Sequence, residues 1–224
     1  MRFLSEWRSF ALAIVAMVGV VAASNYFVQF PVMVQLGALN LADLLTWGAF
    51  TYPAAFLVTD LTNRHLGPRG ARRVVFIGFA LAVLLSVVLA SPRIAIASGS
   101  AFLIAQLLDV SIFNRLRARA WWQAPLISST LGSFVDTALF FSLAFAAQFE
   151  VLGANDAFAL EAAPLFGLLG MEAPRWVSWA LGDLGVKVAV ALMLLAPYRL
   201  AIGFIPSISA GPSIPAGPTT RSAP

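Results

Sequence analysis

Long apolar runs separated by short polar or basic segments dominate this sequence. An α-helix needs about 20 apolar residues to cross the roughly 30 Å of hydrocarbon in a bilayer. Six runs approach or exceed that length, and they cover about residues 10–30, 44–60, 74–91, 94–113, 125–147 and 176–197. The pattern therefore predicts an all-α, polytopic membrane protein, a bundle of six transmembrane helices within residues 1–205.

The first run also has some features of a secretory signal. Arg2 and Arg8 precede its apolar core, and Val21-Ala22-Ala23 resembles a small-residue cleavage site. However, its apolar stretch is longer than that of a signal peptide. We therefore expect it to be a retained transmembrane helix.

Basic residues are distributed unevenly around the six runs. If the N-terminus faces the cytoplasm, most of the 14 basic residues lie on the cytoplasmic side, and the outer connections receive only Arg93 and Arg175. Because Lys and Arg accumulate in cytoplasmic loops, we expect both termini there.

Aromatic residues at span ends, such as Tyr52 and Trp179, indicate interfacial anchoring. Residues 206–224 are rich in Gly, Pro and Ser and predict a disordered cytoplasmic tail.

Composition supports a membrane protein and excludes several other classes. Hydrophobic residues make up 60% of the chain and charged residues 11%, a balance that soluble domains do not show. The net charge is +4, but the basic residues are spread thinly among apolar runs, so we expect the lipid bilayer and no nucleic acid as a partner. With no cysteine and one histidine, thiolate and multi-histidine metal sites are excluded. We expect neither a metal nor a cofactor.

Two of the apolar runs each carry one aspartate in similar surroundings. Aligning the fourth run with the fifth places Asp136 on Asp109 and Ser133 on Gln106, as in a weak internal repeat. An ionised carboxylate inside hydrocarbon costs about 2.5–3.5 kcal/mol on insertion scales, and helix packing does not require one. We therefore interpret Asp109 and Asp136 as functional, with Gln106 on the same helix face as Asp109.

Other polar residues at membrane depth have two interpretations each. Asp183 and Lys187 are four residues apart and therefore lie on one helix face. They form either a structural ion pair or a substrate or proton site. Asp60 ends the second run, where it is either a site residue or solvated. Arg93 begins the fourth run and either snorkels to lipid phosphates or attracts a substrate.

Small residues in the fifth run indicate close helix packing. Ser129 and Ser133, like Ser128 and Gly132, are spaced by four residues, which is the small-xxx-small pattern of helix interfaces in membranes. Ser133 also shares a helix face with Asp136. We therefore keep Ser133 as a candidate ligand contact.

A series of motifs in a fixed order is more specific than any one of them. The motifs are Thr46-Trp47-Gly48-Ala49-Phe50, Tyr52-Pro53, Phe56 to Arg64, Ala71-Arg72-Arg73, Gln106 to Val110, Phe113 to Arg117, Trp121-Trp122, Ser129-Thr130-Leu131, Asp136-Thr137, and Asp183 with Lys187 ahead of Pro197. Over about residues 47–197 the chain resembles the queuosine precursor transporter family, also called the vitamin uptake transporter family.

This resemblance implies a bacterial inner-membrane importer of queuosine precursors, the 7-deazaguanine bases of transfer RNA modification, and not an enzyme. We expect alternating access around a site near mid-membrane, in a monomer or a homodimer. The polar edge of a guanine-like base carries adjacent N–H donors, which a carboxylate can accept. It also carries a carbonyl oxygen, which can accept a hydrogen bond from Lys or Gln. We therefore predict a substrate site formed by Asp109, Asp136, Gln106, Lys187, Asp183, Ser133, Asp60 and Arg93.

Two other functional classes fit part of the pattern. A substrate-binding subunit of an energy-coupling-factor vitamin importer would be similar in size and helix content and would need a separate ATPase. An intramembrane aspartyl protease would use two aspartates on neighbouring helices, but Ala180-Leu181-Gly182-Asp183 holds only half of its G-x-G-D motif. A serine intramembrane protease is excluded, because the only histidine, His65, falls in the loop expected between the second and third spans.

Overall fold

Helices and two short hairpins build the part of the chain that the structure describes. In this computed structural model the described residues are 2–89 and 91–204. The tail predicted at 206–224 lies outside the described residues. The helices are α1 (Arg2–Phe27), α2 (Gly48–Thr51), α3 (Ala54–Leu89), α4 (Pro92–Leu116), α5 (Gln123–Phe145), α6 (Ala157–Leu160) and α7 (Arg175–Phe204).

Each hairpin lies in a connection between helices. β1 (Gln35–Leu36) pairs with β2 (Leu39–Asn40) between α1 and α2, and Gly37 turns the chain with a φ of 61°, which glycine adopts readily. β3 (Ala162–Pro164) pairs antiparallel with β4 (Glu172–Pro174) between α6 and α7. The all-α prediction is therefore correct for the bundle and wrong for these connections, because strands of two or three residues leave no periodic signal.

The second and third predicted spans lie in one helical element. α3 continues through the segment predicted as a loop and departs from helical geometry at Gly67, which has a φ of 74° and a ψ of 178°. Pro68 follows, and proline is favourable at the first position of a helix, so the chain becomes helical again after one residue. The loop prediction is wrong, since His65 lies within α3 and its Nε2 is 3.1 Å from Ser9 Oγ.

Four helices in the described residues are long and apolar enough to cross a membrane. They are Glu6–Phe27, Pro92–Leu116, Gln123–Phe145 and Arg175–Phe204. The break at Gly67 leaves the first half of α3 too short to span alone. The structure therefore supports a mostly helical membrane protein, whereas the count of six transmembrane helices is not confirmed.

The centre of the bundle is formed by α4, which packs between α3 and α5, while α7 packs against α5. Gly132 of α5 allows a close approach, because a Cβ at this position would lie 2.7 Å from Cε1 of Phe56 on α3. Ser128, one turn earlier on α5, is fully buried. The small-residue packing predicted for Ser128 and Gly132 is confirmed.

Replacing Gly132 with valine is expected to disrupt this packing, because the branched side chain would overlap the Phe56 ring. Overpacking a core costs about 1–3 kcal/mol, so the melting temperature in detergent should fall. Gly19→Ala is the control, since nothing lies within 4 Å of a Cβ at Gly19 and alanine favours a helix. Equal melting temperatures for the Gly132→Val variant and the wild type would contradict the packing role.

Arg93 fastens the connection that follows α5 to the beginning of α4. The side chain is buried, with 3% of its surface exposed. Its guanidinium donates to the carbonyl oxygens of Leu143 (2.9 Å), Ala146 (2.7 Å), Gly153 (3.2 Å) and Ala154 (3.2 Å) and to Asn155 Oδ1 (2.9 Å). Arg93 therefore holds the connection after α5 against the beginning of α4.

Replacing Arg93 with methionine is expected to lower the free energy of unfolding by about 3 kcal/mol, because charged hydrogen bonds are lost and carbonyl groups stay buried without donors. Thermal unfolding in detergent measures this loss. Arg93→Lys should recover only a small part, since a lysine cannot reproduce the planar fork of donors. Full stability of the methionine variant would show that these hydrogen bonds contribute little.

Candidate functional site

A cavity of about 1090 Å³ opens at the end of the bundle where both hairpins lie. This volume is near the upper limit for small-molecule sites. Four polar lining residues interact with one another, and we call them the cavity floor: Tyr52, Asp136, Asp183 and Lys187. The aromatic part of the lining consists of Phe140, Phe141, Phe145, Phe158, Phe166 and Trp179.

Lys187 lies between two carboxylates of the cavity floor. Its Nζ is 2.5 Å from Asp183 Oδ2 and 2.7 Å from Asp136 Oδ2, and it also donates to Thr137 Oγ1 at 3.2 Å. Asp183 precedes Lys187 by one turn of α7, while Asp136 and Thr137 are neighbours on α5. The ion pair considered for Asp183 and Lys187 is therefore present, and the packing of α5 on α7 adds a second acid to it.

Tyr52 joins the cavity floor from the connection between α2 and α3. Its hydroxyl donates to Asp136 Oδ1 at 2.9 Å, and Lys187 Nζ lies 5.2 Å from its ring centroid, within cation–π range. Sequence reasoning assigned Tyr52 to interfacial anchoring and to the motif Tyr52-Pro53, but not to the site. The signal that could have found it is the need of a partly buried tyrosine hydroxyl for a polar partner.

Asp183 provides the open acceptor of the cavity floor. Its Oδ2 accepts from Lys187 and from Thr137 Oγ1, the latter at 2.7 Å, whereas its Oδ1 accepts from no described residue. The Asp183 side chain is 14% exposed, against 6% for Asp136. One lysine between two carboxylates leaves one negative charge in excess, so the floor favours a ligand that brings N–H donors.

A second polar group lies between α3, α4 and α5 and does not line the large cavity. Asp60 accepts hydrogen bonds from Ser128 Oγ and Ser129 Oγ, both at 3.3 Å. Asp109 of α4 lies at the same level as Asp60 of α3, because the hydrogen bonds from Thr59 to Gln106 and from Asn63 to Val110 bracket both acids along their helices. We call Asp60 and Asp109 the carboxyl pair; both are at least 99% buried, which excludes the interpretation of Asp60 as solvated.

Two hydrogen bonds between α3 and α4 flank the carboxyl pair. Thr59 Oγ1 donates to Gln106 Oε1 at 2.6 Å, and Asn63 Nδ2 donates to the carbonyl oxygen of Val110 at 2.9 Å. Gln106 Nε2 is buried without a partner, as is Ser133 Oγ on α5. The two helices are thus fixed to each other at the level of the carboxyl pair.

The residues predicted to form one substrate site are divided between separate places. Those that line the cavity are Asp136, Asp183 and Lys187. Those in the second polar group are Asp60, Asp109 and Gln106. Ser133 lies on α5 one turn from both Ser129 and Asp136, and its hydroxyl has no hydrogen-bond partner. Arg93 is in neither group, because its donors bond the connection after α5. Asp183 pairs with a lysine rather than with a second acid, which does not resemble a protease dyad.

Comparison with known proteins identifies related transporters. Residues 46–91 and 86–201 match the family described as "Putative vitamin uptake transporter". The "Queuosine precursor transporter" of Escherichia coli (strain K12) is 36% identical over 199 residues, which are 80% of this chain and 79% of the relative. The "Probable queuosine precursor transporter" of Haemophilus influenzae is 42% identical over 153 residues, which are 56% of this chain and 65% of the relative. This chain therefore spans slightly less than two thirds of the Haemophilus protein. No solved structure matches it at a significant level.

Proposed function

Since this chain belongs to the putative vitamin uptake transporter family, we propose that it imports queuosine precursors, 7-deazaguanine bases, across a bacterial inner membrane. A transporter role follows from the family and from the long apolar helices. The choice of substrate rests on the names of two relatives and on the chemistry of the cavity floor. The observation that carries the proposal is the buried lysine between two carboxylates at that floor.

The cavity floor complements the polar edge of a guanine-like base. Such an edge carries a ring N–H and an exocyclic amino group side by side, next to a carbonyl oxygen. In the proposed pose, Asp183 accepts the two N–H donors, because its Oδ1 is open to the cavity. Lys187 donates to the carbonyl oxygen in place of its longest hydrogen bond, the 3.2 Å bond to Thr137. Tyr52 and Asp136 hold the lysine in position.

The walls suit the flat faces of the same base. Aromatic side chains stack on purine-like rings with a stabilisation of about 1–3 kcal/mol per base. Phe141, Phe145 and Trp179 line the cavity, and the ring centroids of Phe145 and Trp179 lie 5.5 Å apart. The polar floor would therefore select the edge of the base while the aromatic wall binds its face.

Transport follows from access to the cavity floor from alternating sides. In this structure the cavity lies at the end formed by the two hairpins, and the distribution of basic residues supports an outward orientation of this end. The base would enter there, and rearrangement of α7 against α5 would then open the floor to the cytoplasm. If α2 and the first half of α3 together form one crossing and the second half of α3 forms another, the chain would have six spans and both termini inside.

The queuosine content of transfer RNA tests this proposal in a cell that cannot synthesise the base. When such cells are supplied with a deazaguanine precursor, cells that express this chain should contain queuosine and cells that lack it should not. Absence of queuosine despite normal membrane expression would contradict the proposal. If purified protein in liposomes is inactive but an added ATPase partner restores uptake, the chain is instead the binding subunit of an energy-coupling-factor importer.

A further inference from the structure

The carboxyl pair has no role in the substrate pose described above, although its charges are costly to bury. Asp109 is fully buried, and neither of its carboxyl oxygens has a hydrogen-bond partner. Asp60 receives only the two long hydrogen bonds from Ser128 and Ser129. Two ionised carboxylates in this environment would repel each other in a medium of low dielectric constant. The pair therefore needs a positive ligand.

The protein itself does not supply that positive charge. The charged or titratable side chains near the pair on the packed elements are Arg64 of α3, Arg117 after α4 and Tyr198 of α7. Arg117 donates to the carbonyl oxygen of Arg64, and the Tyr198 hydroxyl has no hydrogen-bond partner. No ion pair joins a basic side chain to either member of the carboxyl pair in residues 2–89 and 91–204. From α5 only the uncharged serine hydroxyls reach the pair.

The small void beside Asp60 favours a proton over a hydrated metal ion as this ligand. It borders Asp60, Ser129 and Tyr198 but not Asp109, and it measures about 10 Å³, whereas one water molecule needs about 10–15 Å³. A proton needs no such space, because two facing carboxyl groups can share one as a hydrogen bond. The pair then carries one negative charge instead of two.

α5 links the carboxyl pair to the cavity floor. Ser128 and Ser129 bond to Asp60, and Asp136, two turns further along α5, bonds to Lys187. The two places are separated by about 10 Å along the helix. A shift of α5 that opens the cavity floor to the other side of the membrane would therefore also change the contacts of the carboxyl pair.

We propose that Asp60 and Asp109 form a proton-binding site that couples uptake of the base to inward movement of one proton. This proposal rests on the proposed function, because the cargo is the base bound at the cavity floor. The proton binds to the carboxyl pair from the outer side and is released to the cytoplasm in the same cycle. No bond of the base is made or broken.

Uptake by purified protein in liposomes tests the coupling. With a pH gradient of one unit, alkaline inside, labelled deazaguanine should accumulate up to about tenfold above its outside concentration. An inward sodium gradient at equal pH should give no accumulation. Asp109→Asn should abolish accumulation but keep exchange of labelled for unlabelled base. Exchange without accumulation in the wild type, accumulation driven by sodium, or accumulation by Asp109→Asn would each overturn the proton site while leaving the import function intact.

Infrared spectroscopy of the purified protein tests the site without any transport. At pH 7 the wild type should show a carbonyl stretch of a protonated carboxyl group, and this band should be missing from both Asp109→Asn and Asp60→Asn. The second variant keeps the test valid if the first does not fold. Absence of the band in the wild type, or its persistence in both variants, would overturn the proposal. Loss of exchange in the wild type would instead refute the proposed function.

Discussion

Replacing Lys187 with methionine is expected to abolish uptake and to lower the free energy of unfolding by about 3–5 kcal/mol. The lysine lies between Asp136 and Asp183, which are 2.7 Å and 2.5 Å from its Nζ. Without it, two carboxylates would face each other with no cation between them. Uptake of labelled base into liposomes and thermal unfolding in detergent measure the two effects.

A double variant separates the role in folding from the role in binding. Combining Lys187→Met with Asp136→Asn removes one of the uncompensated charges, so much of the lost stability should return. Uptake should stay absent, because the donor to the carbonyl of the base is still missing. If the double variant regained uptake together with stability, Lys187 would be a structural cation and not a ligand contact.

Replacing Asp183 with asparagine is expected to weaken binding of deazaguanine about 100-fold. Hydrogen bonds to a charged group contribute about 1.5–3 kcal/mol each, and the proposed pose places two N–H donors on this carboxylate. The fold should be little changed, because Lys187 keeps its contact with Asp136. Isothermal titration of the purified variant measures the affinity.

Asp43→Asn is a suitable control for the Asp183 variant. Asp43 also lines the cavity, but it belongs to the connection before α2 and bonds to Asn40 at 3.0 Å. Its replacement should change the affinity less than threefold. If both variants bound the base as tightly as the wild type does, the carboxylate of Asp183 would not contact the ligand.

The sequence predicted the elements that follow from long-range hydropathy and from fixed helical spacing. The helices around Asp109, Asp136 and Lys187 were predicted from their apolar runs, and they are present as α4, α5 and α7. The contact between Asp183 and Lys187 follows from four-residue spacing on one helix. Both features depend only on local geometry.

The division of the acids between two places could not be predicted in this way. Asp109 and Asp136 occupy similar positions in their runs, so the sequence suggested one site. The rotation of α4 and α5 about their axes depends on contacts such as Gly132 with Phe56, and it places Asp109 at the level of Asp60 and Asp136 beside Lys187. A contact between residues distant in sequence, such as Tyr52 with Asp136, has no periodic signal either.

The break in α3 shows a different limit of sequence reasoning. Polar and basic residues near His65 and Gly67 predicted a loop because they interrupt an apolar run. One glycine with a positive φ, followed by Pro68, was enough to join two helical segments. Hydropathy locates such an interruption but does not determine its backbone conformation.

The central claim is that the cavity floor binds a guanine-like edge, and competition binding to the purified wild-type protein tests it most directly. Labelled deazaguanine would be displaced by unlabelled deazaguanine or by the analogue that lacks the exocyclic amino group. The analogue loses one hydrogen bond to a carboxylate, so it should bind about 10- to 100-fold more weakly. Equal competition by the two compounds would contradict the account.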